Sequence, residues 1–147
     1  MNEQTFVIIK PDAITFRLVG KIISRFEGMG LHIQHIEKRH KNEQWCRAHY
    51  RHIRLACQDN NLDDIIYTRL EKFMTTTPTI GIILLGESAI SRVKKAIGVT
   101  NALIAEPGTI RGDWGRQSGC YNLVHAADSI EAVKEEIVLY FDRETDQ

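Results

Sequence analysis

The sequence predicts an α+β protein with a ferredoxin-like, four-stranded antiparallel sheet and helices on one face. The apolar runs follow the order strand, helix, strand, helices, strand, helix, strand, helix, and such a sheet is the simplest way to close that order. The chain has 147 residues, of which 43% are hydrophobic. Residues 1–147 therefore fit a single domain with a proper hydrophobic core.

The first half of the chain begins with a strand, a helix and a second strand. Residues 5–9 are a β-branched and aromatic run that is typical of buried strands, and Pro11 ends it. Apolar side chains recur at helical spacing over residues 18–29, where Gly30 suits a left-handed cap. Residues 31–36 predict the second strand, in which the period slips by one residue and indicates a bulge.

Two helices are predicted before the third strand. Asn42 can cap the first, and Asn61 with Asp63 and Asp64 can open the second. Residues 79–85 then form the most apolar strand of the chain.

The second half continues with a short helix over residues 90–97, closed by Gly98. Residues 100–118 show little period, and a long loop inside a compact domain is usually functional. Residues 121–124 favour the fourth strand. The last helix opens at Asp128, which forms a capping box with Glu131.

Charge and cysteine content exclude several classes of protein. Nineteen basic and nineteen acidic residues cancel, so no global basic field exists for nucleic acid or an anionic membrane. The start of the chain predicts neither a secretory signal nor a membrane span. Three cysteines match no zinc spacing, which predicts free thiols in a reducing compartment and hence a cytoplasmic protein.

His125 is the candidate nucleophile. It lies near the end of the predicted fourth strand, and Glu136 follows on the last helix. A helix folded under the strand would bring the Glu136 carboxylate to a ring nitrogen of His125 and orient the imidazole. Without further context, a lone histidine at a strand end is more often a core or surface residue.

Three motifs provide that context. They are Val-Ile-Ile-Lys-Pro-Asp at residues 7–12, Glu-Pro-Gly-Thr-Ile-Arg-Gly-Asp at residues 106–113, and Asn-Leu-Val-His-Ala-Ala-Asp-Ser at residues 122–129. Together, in this order, they resemble the nucleoside diphosphate kinase family over residues 5–141. The resemblance implies that family's antiparallel core and a ping-pong transfer of the γ-phosphate of a nucleoside triphosphate to a nucleoside diphosphate, through a phosphohistidine on His125.

The resemblance also implies roles for other side chains. Lys10 would contact the phosphates and a ribose hydroxyl, and Asn122 the ribose 3′ hydroxyl. Arg111 and Thr100 would contact the phosphates. Tyr50 would lie beside the catalytic histidine and Glu136 would brace it. Mg²⁺ would arrive with the nucleotide, because it keeps several waters and uses phosphate oxygens rather than a protein cage. The resemblance further implies a homo-oligomer, with a hexamer favoured over a tetramer or dimer.

The chain departs from the family pattern around the substrate. Ala127 stands where the family has serine, and Lys94 where it has a second phosphate-binding arginine, with Arg92 nearby as an alternative. A lysine keeps the charge but loses the bidentate fork of arginine. The segment between Tyr50 and Pro78 is longer than usual, which leaves Ile66 or Tyr67 as the residue that stacks on the base.

These departures leave a second hypothesis open, a weak or silent homologue that acts as a nucleotide-binding or regulatory module. An RNA-binding module is disfavoured because residues 79–85 offer no aromatic or basic platform. The remaining histidines, including His49 and His52, match no zinc pattern and are interpreted as structural.

Overall fold

The computed structural model describes residues 2–59 and 65–147. The predicted helix start at Asn61 with Asp63 and Asp64 lies outside these residues. Helices and strands alternate in the predicted order. They are β1 (Asn2–Ile9), α1 (Pro11–Thr15), α2 (Val19–Gly28), β2 (His32–Arg39), α3 (Glu43–His49), α4 (Arg51–Asp59), α5 (Ile65–Thr76), β3 (Thr79–Glu87), α6 (Ala89–Ile97), α7 (Ile110–Trp114), β4 (Val124–Ala126) and α8 (Ile130–Phe141).

The strands form one four-stranded sheet in the order β2-β3-β1-β4, and all three pairings are antiparallel. This confirms the predicted ferredoxin-like sheet. β2 carries the bulge indicated by the sequence, a register shift between Ile33 and His35. β4 is short and pairs only with β1, where His125 lies opposite Ile8.

The sheet is covered on both faces, so the expectation of helices on one face was wrong. Val7 and Ile9 pack into a first core, whereas Phe6 and Ile8 pack into a second. The first core includes side chains of α2, α6 and α7, and the second includes side chains of α3, α5 and α8. The unbroken apolar run of β1 is the pattern of a strand buried on both sides.

The predicted start of the fourth strand was also wrong, because residues 121–123 are not extended. Leu123 has a φ of +74°, which interrupts the strand, so β4 begins only at Val124. The last helix starts one residue later than expected. Its N-cap is Ser129, which accepts a hydrogen bond from the Ala132 amide, and no capping box forms at Asp128.

No helix in the described part of the chain is long and apolar enough to cross a membrane.

Candidate active site

A cavity of about 1520 Å³ opens at the sheet edge where β1 ends and β4 lies. It brings together most of the residues singled out by the motifs. Its lining includes Lys10, Tyr50, Ile66, Lys94, Thr100, Arg111, Asn122, His125 and Glu136. The two alternatives Tyr67 and Arg92 do not line it.

A tight turn before β4 positions part of the cavity floor. We use this name for the mostly buried surface formed by Lys10, Arg111, Asn122 and His125. The Val124 amide donates to the Asn122 carbonyl at 2.9 Å across Leu123, whose positive φ makes this a strained γ-turn. Asp12 holds the turn, since its Oδ2 accepts from the Leu123 amide at 3.1 Å. The Lys10 amide donates to the Leu123 carbonyl at 2.9 Å. The Lys-Pro-Asp motif thereby fixes the turn that carries Asn122.

Lys10 is buried and points along this floor. Its Nζ donates to Asn122 Oδ1 at 2.8 Å and to the Cys120 carbonyl at 3.2 Å. The Asn122 amide group in turn donates to the Thr100 carbonyl at 2.9 Å. Burial and the nearby Arg111 cation lower the pKa of Lys10 to about 8. The ammonium therefore stays largely charged at neutral pH, with one N–H left for a ligand.

Arg111 ties three segments together beside Lys10. Its guanidinium donates to the carbonyls of Asn122 at 3.1 Å, Gly98 at 3.0 Å and Val124 at 2.6 Å. A guanidinium has five N–H donors, so two remain for a phosphate. Burial lowers the pKa of Arg111 to about 10, which leaves it charged at neutral pH.

The start of α7, which carries Arg111, explains one glycine of its motif. Thr109 caps α7 by accepting from the Gly112 amide at 3.0 Å. A side chain at residue 112 would collide with the Glu106 carbonyl. The Pro-Gly-Thr-Ile-Arg-Gly motif is therefore a tight helix start that places one arginine.

His125 and Glu136 lie in contact, as the sequence predicted. His125 Nε2 and Glu136 Oε2 are 2.8 Å apart, and both side chains are mostly buried, with 22% and 17% of their surface exposed. When Glu136 is ionised, its carboxylate only accepts hydrogen bonds, so in that state Nε2 carries the proton and Nδ1 keeps its lone pair.

The surroundings keep the imidazole neutral. Burial, followed by the cations of Lys10, Arg111 and Lys94, lowers the pKa of His125 to about 3. Burial raises the pKa of Glu136 to about 7. A neutral imidazole beside fixed cations suits a nucleophile for an anionic electrophile.

Two aromatic residues flank the histidine. The ring centroid of His49 lies 4.5 Å from that of His125, and the ring of Tyr50 lies 6.3 Å away. Tyr50 is thus beside His125, as the resemblance implied, although His49 is nearer. Burial raises the pKa of Tyr50 well above 10, so its hydroxyl stays protonated.

The sequence left two choices open, Lys94 or Arg92 and Ile66 or Tyr67. In each pair only the first residue lines the cavity. Lys94 is exposed and lines the cavity, whereas Arg92 is held by the carbonyls of Glu87 and Met29. Ile66 lines the cavity with 55% of its surface exposed, whereas Tyr67 lies in the second core with 6% exposed. Lys94 and Ile66 therefore line the cavity, whereas Arg92 and Tyr67 do not.

Ala127 lies in the second core, with 1% of its surface exposed. Its amide donates to the Phe6 carbonyl at 3.0 Å, and its side chain is not part of the cavity wall.

Sequence reasoning missed two residues of this site. Asp12 was part of a motif but had no assigned role, and no local pattern shows that it holds a turn 111 positions away. His49 was interpreted as structural because its spacing from other histidines matched no metal pattern.

The fold and cavity define a ferredoxin-like protein with an oriented histidine beside buried cations, a site suited to transferring an anionic group. The family model described as nucleoside diphosphate kinase matches residues 3–145. The chain therefore belongs to the nucleoside diphosphate kinase family.

Individual relatives agree with this placement. A nucleoside diphosphate kinase of Methanobrevibacter smithii is 37% identical over 144 residues, which cover 98% of this chain and 90% of that protein. The one from Methanocaldococcus jannaschii is 40% identical over 96% of this chain and 94% of its own length. A Borrelia burgdorferi nucleoside diphosphate kinase, described as a transition-state mimic with bound vanadate and ADP, superimposes with a TM-score of 0.84. That structure is 27% identical over 99% of this chain and 90% of its own.

Proposed function

We propose that this protein transfers the γ-phosphate of a nucleoside triphosphate to a nucleoside diphosphate in two steps, through a phosphohistidine on His125. The observation that carries the proposal is the 2.8 Å contact between His125 Nε2 and Glu136. That contact leaves Nδ1 free as the nucleophile in a cavity lined by Lys10, Lys94 and Arg111.

In the first step, the Nδ1 lone pair forms a bond to the γ-phosphorus. The bond between that phosphorus and the β–γ bridging oxygen breaks, and the diphosphate leaves with the electron pair. The ring gains positive charge, which the Glu136 carboxylate balances through the proton on Nε2. In the second step, a terminal oxygen of another diphosphate attacks the phosphorus, and the N–P electrons return to Nδ1.

The cations serve the transferred group. Its charge spreads over three equatorial oxygens, so the protein mainly positions the reactants and supplies positive charge. Lys10 has one N–H free and Arg111 two, and Lys94 lies at the exposed side of the cavity. By family resemblance, Asn122 and Lys10 would contact the ribose hydroxyls and Thr100 the phosphates.

Mg²⁺ enters with the nucleotide in this proposal. In the described residues, the one cluster of three potential ligand groups contains two histidines, whereas Mg²⁺ takes oxygen ligands. The cavity is instead lined by cations that suit phosphates. The metal, when bound, neutralises charge on the phosphate oxygens.

We also propose a homo-oligomer, with a hexamer favoured over a tetramer or dimer. Family resemblance supports it. The loop after α6 also exposes apolar side chains at Val99, Leu103 and Ile104, with 55%, 60% and 73% of their surface accessible. Light scattering at micromolar concentration tests this, and a monomer of 16.8 kDa would contradict it. A cytoplasmic location is proposed on the three free cysteines.

Steady-state exchange kinetics test the reaction. A phosphoenzyme route gives parallel double-reciprocal plots when the donor is varied at several acceptor concentrations, because product leaves before the acceptor binds. Intersecting plots would mean direct transfer between two bound nucleotides. A silent homologue would bind ADP in calorimetry and show no exchange, which separates the alternative from the proposal.

A further inference from the structure

Three potential metal-ligand side chains meet at the surface of the active-site cavity. His49, His125 and Glu136 each offer one ligand atom, and these atoms all lie within 4.8 Å of one another. The residues come from the end of α3, from β4 and from α8. Three separate elements of the fold thus converge on one point.

His49 is the member with no assigned task. Its side chain is 8% exposed, and neither ring nitrogen has a hydrogen-bond partner in the part of the chain that the structure describes. Leaving a buried polar atom unpaired is unfavourable. The ring stacks on Trp45 at 4.8 Å and meets the His125 ring edge-to-face at 4.5 Å. Packing therefore holds unpaired nitrogens beside the nucleophile.

The donor set suits one kind of cation. Two histidines and one glutamate are a known Zn²⁺ ligand set, which leaves a fourth position for water. Tetrahedral ligand atoms at Zn²⁺ distances lie about 3.4 Å apart. The upper limit of 4.8 Å exceeds this spacing by about 1.4 Å, whereas His125 Nε2 and Glu136 Oε2, at 2.8 Å, lie about 0.6 Å closer than it, so binding requires shifts of up to about 1.4 Å. Imidazole favours zinc, cobalt, nickel and copper, whereas Mg²⁺ prefers oxygen.

We propose that His49, His125 and Glu136 form a chelating site for a divalent transition-metal cation of the zinc type, and that its occupation stops phosphoryl transfer. The inhibitory half rests on the function proposed above. If the cation binds His125 Nδ1, it covers the nucleophilic lone pair. If it binds Nε2, the proton moves to Nδ1 and removes the same lone pair. Both geometries silence the histidine.

Cobalt titration of the nucleotide-free protein tests the site directly. Co²⁺ bound by two histidines and a carboxylate gives visible absorption bands, and Zn²⁺ should displace it. We expect one Co²⁺ per chain and no competition from Mg²⁺. His49→Phe keeps the ring that packs on Trp45 but removes both nitrogens, and should weaken Co²⁺ binding by at least about tenfold.

Two further variants keep the test sharp. Glu136→Gln should weaken Co²⁺ binding similarly, and it decides the matter if His49→Phe fails to fold by circular dichroism. His35→Ala is the matched control, because His35 pairs with Glu37 at 2.7 Å on the surface without a third ligand. It should bind Co²⁺ like the unchanged protein. Equal affinity in the unchanged protein, His49→Phe and Glu136→Gln would overturn the site.

A second arm addresses inhibition. In exchange assays at saturating Mg²⁺, added Zn²⁺ should inhibit the unchanged protein at least about tenfold more potently than His49→Phe. Equal inhibition of both would overturn the inhibitory half. Co²⁺ binding without any exchange activity would instead contradict the function proposed above while leaving the metal site standing.

Discussion

The two sides of the active-site cavity are built differently. The floor, formed by Lys10, Arg111, Asn122 and His125, is mostly buried, and hydrogen bonds between 2.6 and 3.2 Å hold its side chains. The wall, formed by exposed residues of α4 and α5 such as His52 and Ile66, carries polar and apolar side chains open to solvent.

Because of this difference, we expect the floor to perform the chemistry and the wall to influence which substrates bind. A fixed floor positions a nucleophile and cations before the ligand arrives, so little reorganisation is needed during reaction. The exposed aliphatic side chain of Ile66 on this wall offers burial to any base without directional contacts. Substitutions in the floor are therefore expected to cause large losses of exchange activity, and substitutions in the wall small changes.

The largest effect is expected from removing the nucleophile. His125→Ala should lower exchange by at least about 10³-fold, because no other group replaces the lone pair at Nδ1. His52→Ala is the control, since His52 lines the same cavity but is exposed. Initial rates of both variants measure the contrast. Comparable rates in the two would erase the distinction between floor and wall.

Glu136→Gln should lower kcat by about ten- to a hundredfold, because a hydrogen bond to a charged group contributes about 1.5–3 kcal/mol. Glu131→Gln, an exposed acid on the same helix, should change kcat little.

The pH profile of kcat/KM sharpens this prediction. Glu136 gains a proton as pH falls through about 7, which removes the charge that balances the phosphohistidine, so activity falls on the acid side. Lys10 loses its proton as pH rises through about 8, so activity falls on the alkaline side. His125 stays neutral throughout, because its pKa is far lower. Glu136→Gln should abolish the acid limb, and persistence of that limb would assign it to another group.

A smaller change in kinetics is expected from substitutions in the wall. Ile66→Phe should lower KM by about two- to tenfold, since an aromatic contact adds about 0.5–1.5 kcal/mol. Ile65→Phe is a close control, because Ile65 is equally exposed, at 57% against 55%, but lines a separate cavity. The spread of kcat/KM over four diphosphate acceptors should stay below about a hundredfold. A larger spread would mean that the wall reads base edges.

A change of about the same size as at Ile66 is expected at Lys94. Lys94→Arg should raise kcat/KM by about fivefold, because a guanidinium can bind a phosphate in a bidentate manner. Lys95→Arg is the control, because it makes the same substitution one position away at a residue that does not line the cavity. An equal gain in both variants would indicate a general charge effect rather than a phosphate contact.

The predictable part of the molecule lies in local patterns. Strand order follows from runs of apolar residues, and the His125–Glu136 contact follows from a strand leading into a helix. The resemblance named Lys10, Arg111 and Asn122, and the structure brings them to one cavity.

The unpredictable part depends on contacts between distant residues. The γ-turn at Leu123 exists because Asp12 and Lys10 hold it, and leucine gives no local signal for a positive φ. His49 acquires its place only when α3 packs against α5 and α8, which brings its ring to 4.5 Å from that of His125. Ser129 rather than Asp128 caps the last helix. Because serine and aspartate are similarly favoured as N-caps, the sequence did not distinguish between these two neighbours.

The central claim is that phosphate passes through Nδ1 of His125. Incubating the protein with ATP labelled in the γ-phosphate, removing nucleotide and mapping the labelled peptide tests it most directly. The account predicts acid-labile label on His125, bound through Nδ1 and discharged by adding a nucleoside diphosphate. Label on another residue, or on His125 through Nε2, would contradict the account.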